Sequence, residues 1–186
     1  MKTCAFTYYI DYKDMTLEMV ESWKHFHPDI PMLVFDRQCI ERLWIEHPDM
    51  PKWSIGPMLS KLLSSRFDMI IHVDGDSLIT APLTELLEDD NWDVAGVRNN
   101  NDKGYMCHVS SPYVRTSLLT NKPIGIQKYL NLGFFAVKSK AFINEWYENT
   151  RKYGMSCQFW EQDTFNDLCD AGTYNVKILD PKESSV

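Results

Sequence analysis

The sequence predicts an α/β fold: a mostly parallel central sheet with helices on both faces. Three observations carry this expectation. Residues 5 to 35 read strand, helix, strand, which is a βαβ unit. Met69 to Val73 is almost continuously apolar, as a central parallel strand covered on both sides must be. Strands and amphipathic helices then keep alternating to the end of the chain.

The elements follow in order. Ala5 to Ile10 is apolar and β-favouring, so the chain opens on a strand. Asp14 stands where a helix N-cap belongs, and Met15, Met19, Val20, Trp23 and His27 follow at helical spacing until Pro28. Met32 to Phe35 is a second strand, closed by Asp36. Gly56-Pro57 opens another helix, with proline in the tolerated first turn and Met58, Leu59, Leu62 and Leu63 as its buried stripe. After the Met69 strand, Pro82 starts a short helix through Leu83, Leu86 and Leu87, and Asp93 to Val97 is a further strand. Arg98 to Pro123 has little periodicity and many Asn, Gly, Ser and Pro residues; it reads as a loop holding one short strand pair, and a loop this long points to function. Leu132 to Val137 is a strand. Ser139 caps a helix carrying Phe142, Ile143, Trp146 and Tyr147. Trp160, Thr164, Phe165, Leu168 and Cys169 fit a last helix, Tyr174 to Leu179 a last strand, and Lys182 to Val186 a frayed end.

Length and composition bound the answer. The 186 residues fit one domain, 1–186, and 44% hydrophobic with 24% charged residues excludes the disordered and membrane classes. The net charge of −7 and the lack of a basic run exclude a phosphate-tracking nucleic-acid binder. The same balance means that an anionic substrate needs a local cation, from a Lys/Arg cluster or a metal. Cys4, Cys39, Cys107, Cys157 and Cys169 show no CxxC spacing, which predicts free thiols in a reducing compartment. No signal peptide and no apolar run of about 20 residues is present. The expectation is a cytoplasmic protein without a membrane span.

Three segments carry candidate chemistry. In Asp74-Gly75-Asp76 two carboxylates project to one side at the end of the central strand, where open α/β sheets bind ligands. Paired carboxylates repel one another, and Mn²⁺ or Mg²⁺ relieves that repulsion while keeping positions for water and phosphate oxygens. Asn131 and Gly133 enter the Leu132 strand; an amide can bind sugar hydroxyls, and glycine permits close approach, although a plain buried strand has the same pattern. Glu161-Gln162-Asp163 begins a helix, where acids also serve as a solvated, dipole-favoured first turn.

Taken together, the ordered set resembles GT-A-fold glycosyltransferases, most closely glycosyltransferase family 8, to which glycogenin and lipopolysaccharide galactosyltransferases belong. The resemblance rests on the apolar strand ending in Asp74-Gly75-Asp76, the Pro82 to Leu87 helix, the Asn-x-Gly-aromatic run Asn131 to Val137, the Glu161 to Asn166 run, and Lys61 on the helix before the metal motif. It spans roughly residues 3 to 180. It implies a GT-A (Rossmann-like) catalytic domain that moves a hexosyl group from a nucleoside-diphosphate sugar, with uridine preferred, to a glycan or other hydroxyl acceptor, with retention. It implies that Asp74 and Asp76 hold the metal, Asp74 also touching ribose. Thr7, Tyr8 and Tyr12 would lie near the nucleobase, Lys61 would face the diphosphate or sugar, and Asn131 would bind sugar hydroxyls. Glu161, Gln162 and Asp163 would stand beside the anomeric carbon and acceptor, with Glu161 or Asp163 as the base of an inverting reaction.

One departure bears on the metal. The family's C-terminal His-x-x-Gly-x-Lys ligand motif is missing, so the third ligand is water or His108, or the sequence is a piece of a longer protein. Two alternatives stay open. One is a nucleotide-sugar-binding module without catalysis. The other is a haloacid-dehalogenase-type phosphatase, against which the motif's mid-chain position and its continuation Ser77-Leu78 argue.

Overall fold

The computed structural model describes residues 1–98 and 113–179. Cys107, His108 and the tail from Lys182 lie outside the described residues, as does most of the predicted long loop. The strands are β1 (Thr3–Tyr8), β2 (Met32–Phe35), β3 (Met69–Val73), β4 (Val94–Arg98), β5 (Tyr113–Thr116), β6 (Pro123–Gly125), β7 (Leu130–Val137) and β8 (Val176–Leu179). The helices are α1 (Lys13–Phe26), α2 (Arg37–Glu46), α3 (Ile55–Leu63), α4 (Thr84–Glu88), α5 (Lys140–Tyr153) and α6 (Trp160–Ala171).

Six strands form one sheet in the order β2-β1-β3-β7-β4-β8. Five run in one direction. β7 is antiparallel to both its neighbours, β3 and β4. β5 and β6 form a separate antiparallel pair, the strand pair expected in the irregular stretch.

Alternation along each strand feeds two cores. Cys4, Phe6, Ile70, Phe135 and Val137 face one side and pack under α2, α3, α5 and α6 through Ile40, Met58, Trp146 and Phe165. Ala5, Ile71, Val73, Phe134 and Ala136 face the other and pack under α1 and α4 through Met19, Trp23 and Leu86. Helices therefore cover both faces. Every residue of β3 is buried, as its apolar run predicts.

Several details differ from the sequence reading. α1 starts at Lys13, with Tyr12 as N-cap, so Asp14 is a first-turn acid complementing the helix dipole. Met15 is exposed and Thr16 takes the inward place. Asp36 not only ends β2 but opens α2, its Oδ1 accepting from Cys39 N at 2.9 Å. α2 escapes a periodicity search because only Ile40 and Leu43 of its ten residues are buried. Leu62 points to solvent, off the α3 stripe. Ser139 caps α5 as expected, accepting from Phe142 N at 3.2 Å. Cys4, Cys39, Cys157 and Cys169 are free thiols. Among the described residues, no helix is long and apolar enough to cross a membrane.

Candidate active site

Two adjoining clefts open at the carboxyl end of β3 and share Tyr8, Trp53 and Asp74. The first, of about 370 Å³, lies between the turn after β1 and the Asp74-Gly75-Asp76 run. The second, of about 350 Å³, lies between Asp74, the entrance of β7 and the start of α6. Their place agrees with the rule that α/β sheets bind ligands beyond the carboxyl ends of their strands.

Asp74 is fixed from its backbone, its N–H donating to Gly133 O at 2.7 Å. Burial, and then the negative charge of Asp76, raise its carboxyl to about 6. His72, two residues earlier on the same face, does not neutralise it. Its Nδ1 lies 3.0 Å from Leu132 O, and a carbonyl only accepts, so Nδ1 carries the proton and Nε2 is bare. Nε2 is buried without a hydrogen-bond partner, 3.8 Å from Asp74 Oδ1. Burial holds the imidazole down at about 4, so it is neutral at pH 7. The ring is stacked between Tyr8 and Phe135.

The entrance of β7 explains two residues that the strand pattern alone leaves without a role. Between Gly96 and Val97 the pairing with β4 jumps from Phe135 to Asn131, so residues 132–134 are left out of the β4 ladder, and Leu132 and Gly133 line the second cleft. Asn131 Oδ1 accepts from Gly133 N at 2.6 Å. A Cβ on Gly133 would stand 2.9 Å from both Asn131 Oδ1 and Asp74 Oδ2. Gly133 is therefore what lets the carboxylate and the amide converge. Gly75 likewise admits the Thr16 hydroxyl against its backbone.

The start of α6 forms the far wall. Gln162 Oε1 accepts from Leu132 N at 3.1 Å and ties α6 to the bulge. Trp146 Nε1 donates to Glu161 O at 2.9 Å. Burial pushes the half-buried Glu161 carboxyl up to about 8; its own backbone and Ser54 pull it down, and the charge of Asp74 adds to the rise. Trp160 carries a φ of 39°, in the left-handed region that aromatic residues avoid.

Three residues expected at the site lie elsewhere. Asp163 lines neither cleft. It is buried, its Oδ1 accepting from Tyr129 Oη at 2.5 Å and its Oδ2 from Phe159 N at 3.0 Å, with Arg115 Nη1 at 3.0 Å. The reason is helical geometry: two residues beyond Glu161, the side chain turns toward the β5–β6 pair. Lys61 lies on α3 facing α5, its Nζ 3.3 Å from Glu148 Oε1 and 3.6 Å above the Tyr147 ring. Thr7 is fully buried within β1, on the face shared with Ala5 and α1. Tyr8, Tyr12, Asp74 and Asp76 do line the first cleft, and Asn131, Glu161 and Gln162 the second.

The sequence reading missed Trp53, Trp160, Asp11 and His72. Asp11 lines the first cleft and is paired with Arg37, whose Nε donates to Ile10 O at 3.1 Å. No local pattern marks these residues; only the alternation His72, Asp74 along β3 hints that the two side chains share a face.

The charge of the clefts decides what they can hold. Asp11, Asp74, Asp76 and Glu161 line them, and among the described lining residues there is neither lysine nor arginine. Among the described residues, no group of three His, Cys, Asp or Glu side chains is placed to hold a metal ion. Asp74 and Asp76 fit a divalent cation as a two-carboxylate donor set that needs further oxygen ligands from the substrate or water.

The sequence matches no family model and no curated protein. Solved structures do match. The galactosyltransferase LgtC, solved with donor and acceptor sugar analogues, aligns over 96% of this chain and 73% of its own, with a TM-score of 0.61 at 15% identity. A glycosyltransferase involved in glycosylation of the major capsid of PBCV-1 aligns over 97% and 83%, with a TM-score of 0.57 at 13% identity. The bifunctional glycosyltransferase WbbM aligns over 96% of this chain but only 38% of its own, with a TM-score of 0.56 at 14% identity. The mixed sheet with its reversed β7, helices on both faces and clefts at the end of β3 thus make up the GT-A fold found in glycosyltransferases.

Proposed function

We propose that the chain is a metal-dependent hexosyltransferase of the family 8 type, using a UDP-sugar donor and a hydroxyl acceptor, and acting with retention. One observation carries this reading: two acid-lined clefts, without a lysine or arginine among the described lining residues, meet at Asp74. A diphosphate enters such a place only with a cation of its own, and Asp74 with Asp76 would hold Mn²⁺ or Mg²⁺. When bound, the metal supplies Lewis-acid stabilisation of the charge that develops on the leaving diphosphate.

The protein's own groups do the rest. Tyr8 and Tyr12 offer aromatic faces to the base in the first cleft. Asn131 and Gln162 border the second, where the hexosyl group lies across Asp74. The bond between the anomeric carbon and the diphosphate oxygen breaks, and its electron pair leaves with the diphosphate. The acceptor oxygen bonds to the anomeric carbon, and its proton passes to the leaving phosphate oxygen in a retaining reaction. In an inverting one Glu161 would take it in its ionised form, which becomes the major form only above about pH 8 because burial raises this carboxyl. Asp163, engaged by Arg115 and Tyr129, is not available for that task. The phosphatase alternative draws no support from this fold.

The test is a thermal-shift panel of nucleotide sugars with and without Mn²⁺, followed by turnover assays. A UDP-sugar at a hundred times its dissociation constant should stabilise by about 2.7 kcal/mol, and only with metal. Asp76→Ala should remove the response. Stabilisation that persists in Asp76→Ala sinks the metal assignment. Tight UDP binding without turnover across an acceptor screen leaves the non-catalytic module as the reading.

A further inference from the structure

We infer that Trp53 and Trp160 form the seat of the acceptor, and that this acceptor is a neutral saccharide presented as a pyranose ring. The inference rests on the glycosyl-transfer reading and names the substrate class for its second cleft. Of the six tryptophans, these two are the most exposed, at 54% and 37%, and both line that cleft. Trp23, Trp92 and Trp146 are buried in the cores.

Trp160 is held where it is at a cost. A positive φ on a bulky residue is strained and persists only when its surroundings over-determine it. The surroundings do so here. Phe159 N donates to Asp163 Oδ2 at 3.0 Å, and Gln162 N donates to Phe159 O at 2.9 Å. Asp163 is itself clamped by Arg115 and Tyr129. The buried Asp163 thus positions the turn that swings the Trp160 ring to the cleft.

The rest of the lining selects the ligand. Tyr8, Trp53, Phe159 and Trp160 supply aromatic surface, while Asn131, Glu161 and Gln162 supply hydrogen-bonding groups beside it. A pyranose has the matching pair of features, apolar C–H faces and a rim of hydroxyls. An anionic acceptor is disfavoured, because the Asp74 carboxylate lines the cleft and no lysine or arginine does among the described residues. An extended peptide is disfavoured as well. β7 lies between β3 and β4, so the cleft offers no free strand edge for main-chain pairing.

The experiment separates this inference from the function it rests on. Saturation-transfer NMR is recorded on the whole chain with methyl pyranosides and disaccharides, without nucleotide or metal, and beside it UDP-sugar turnover is measured. Saturation should concentrate on the C–H protons of one ring face. Trp160→Ala should weaken saccharide binding, and raise the acceptor KM, by about tenfold, the loss of one good ring contact. Trp160→Phe should recover most of it. Trp160→Asn tolerates the positive φ but lacks the ring; it should raise Tm while losing acceptor as the Ala variant does, which a merely structural tryptophan would not produce. No saccharide contact in the wild type, full binding in Trp160→Asn, or turnover with hydroxylated peptides but not saccharides would each overturn the inference. A wild type that contacts saccharides but neither binds nor turns over any UDP-sugar refutes the proposed function and leaves the saccharide seat standing.

Discussion

Two acidic regions of this molecule solve the same electrostatic problem in opposite ways. Under the β5–β6 pair, Asp163 and Asp167 are both buried, yet Arg115 lies 3.0 Å from one and 3.6 Å from the other, and Tyr129 and the Phe159 amide bond to Asp163. At the clefts, Asp74 and Asp76 have no lysine or arginine beside them among the described lining residues, and the nearby imidazole, His72, is neutral. The first cluster has an arginine of its own, shared between the two acids. The second has no lysine or arginine among the described residues that line the clefts. The two acid pairs thus part company according to whether the fold gives them an arginine.

The sharpest way to break this comparison is Asp163→Ala. It leaves Arg115 buried without its closest partner and should cost about 3–5 kcal/mol, read by chemical denaturation. A loss as small as a surface substitution would place Asp163 in the wrong class. Gly133→Ala comes next. The added methyl meets Asn131 and Asp74 at 2.9 Å, so the strand must shift, at about 1–3 kcal/mol, and nucleotide-dependent stabilisation should fall with it. Asp74→Asn should act in the opposite sense on the ligand-free protein. Removing an uncompensated charge raises Tm by about 2 °C at pH 7.5, while the response to UDP-sugar and Mn²⁺ is lost.

The smallest effect is a pH slope. Unfolded glutamate ionises near 4.5, whereas folded Glu161 keeps its proton to about 8. The folded state therefore binds the extra proton, and stability falls as pH rises through this window. Below pH 6.5 the buried neutral His72 opposes the trend, because the unfolded imidazole gains a proton that the folded one refuses until about 4. The clean range is pH 6.5 to 8. Tm should decline across it, and Glu161→Gln should flatten the decline.

β3 was readable because burial on both faces leaves a nearly unbroken apolar run, and the half-buried edge strand β2 also matches its expected bounds. The βαβ opening likewise declares two parallel strands. α2 was hidden because it rests on the core through two residues only, and its best signal, Asp36 as a cap, also reads as a strand terminator. Of the site, Asp74 and Asp76 were marked by their place at the end of β3, whereas Asn131, Glu161 and Gln162 were named through the family resemblance; all five line the clefts. Lys61 and Asp163 do not. Their directions are set by Glu148 and Tyr147 on α5 and by Arg115 on β5, partners 48 to 87 residues away in the chain. Trp53 and Trp160 carry no local mark at all, since an exposed tryptophan becomes a site residue only when a cleft forms beside it.

The reversed β7 also constrains how the protein is made. Ribosomes deliver β3 and β4 long before β7, and until residue 137 has emerged these two strands have no partner between them. A nascent chain halted there exposes the edge of a mostly apolar strand, the kind of surface that chaperones recognise and aggregates recruit. Insertion of β7 seals that edge and, in the same event, brings Gly133 and Asn131 against Asp74. The second cleft therefore closes only after β7 is in place, because a chain without it has half a cleft and an open seam.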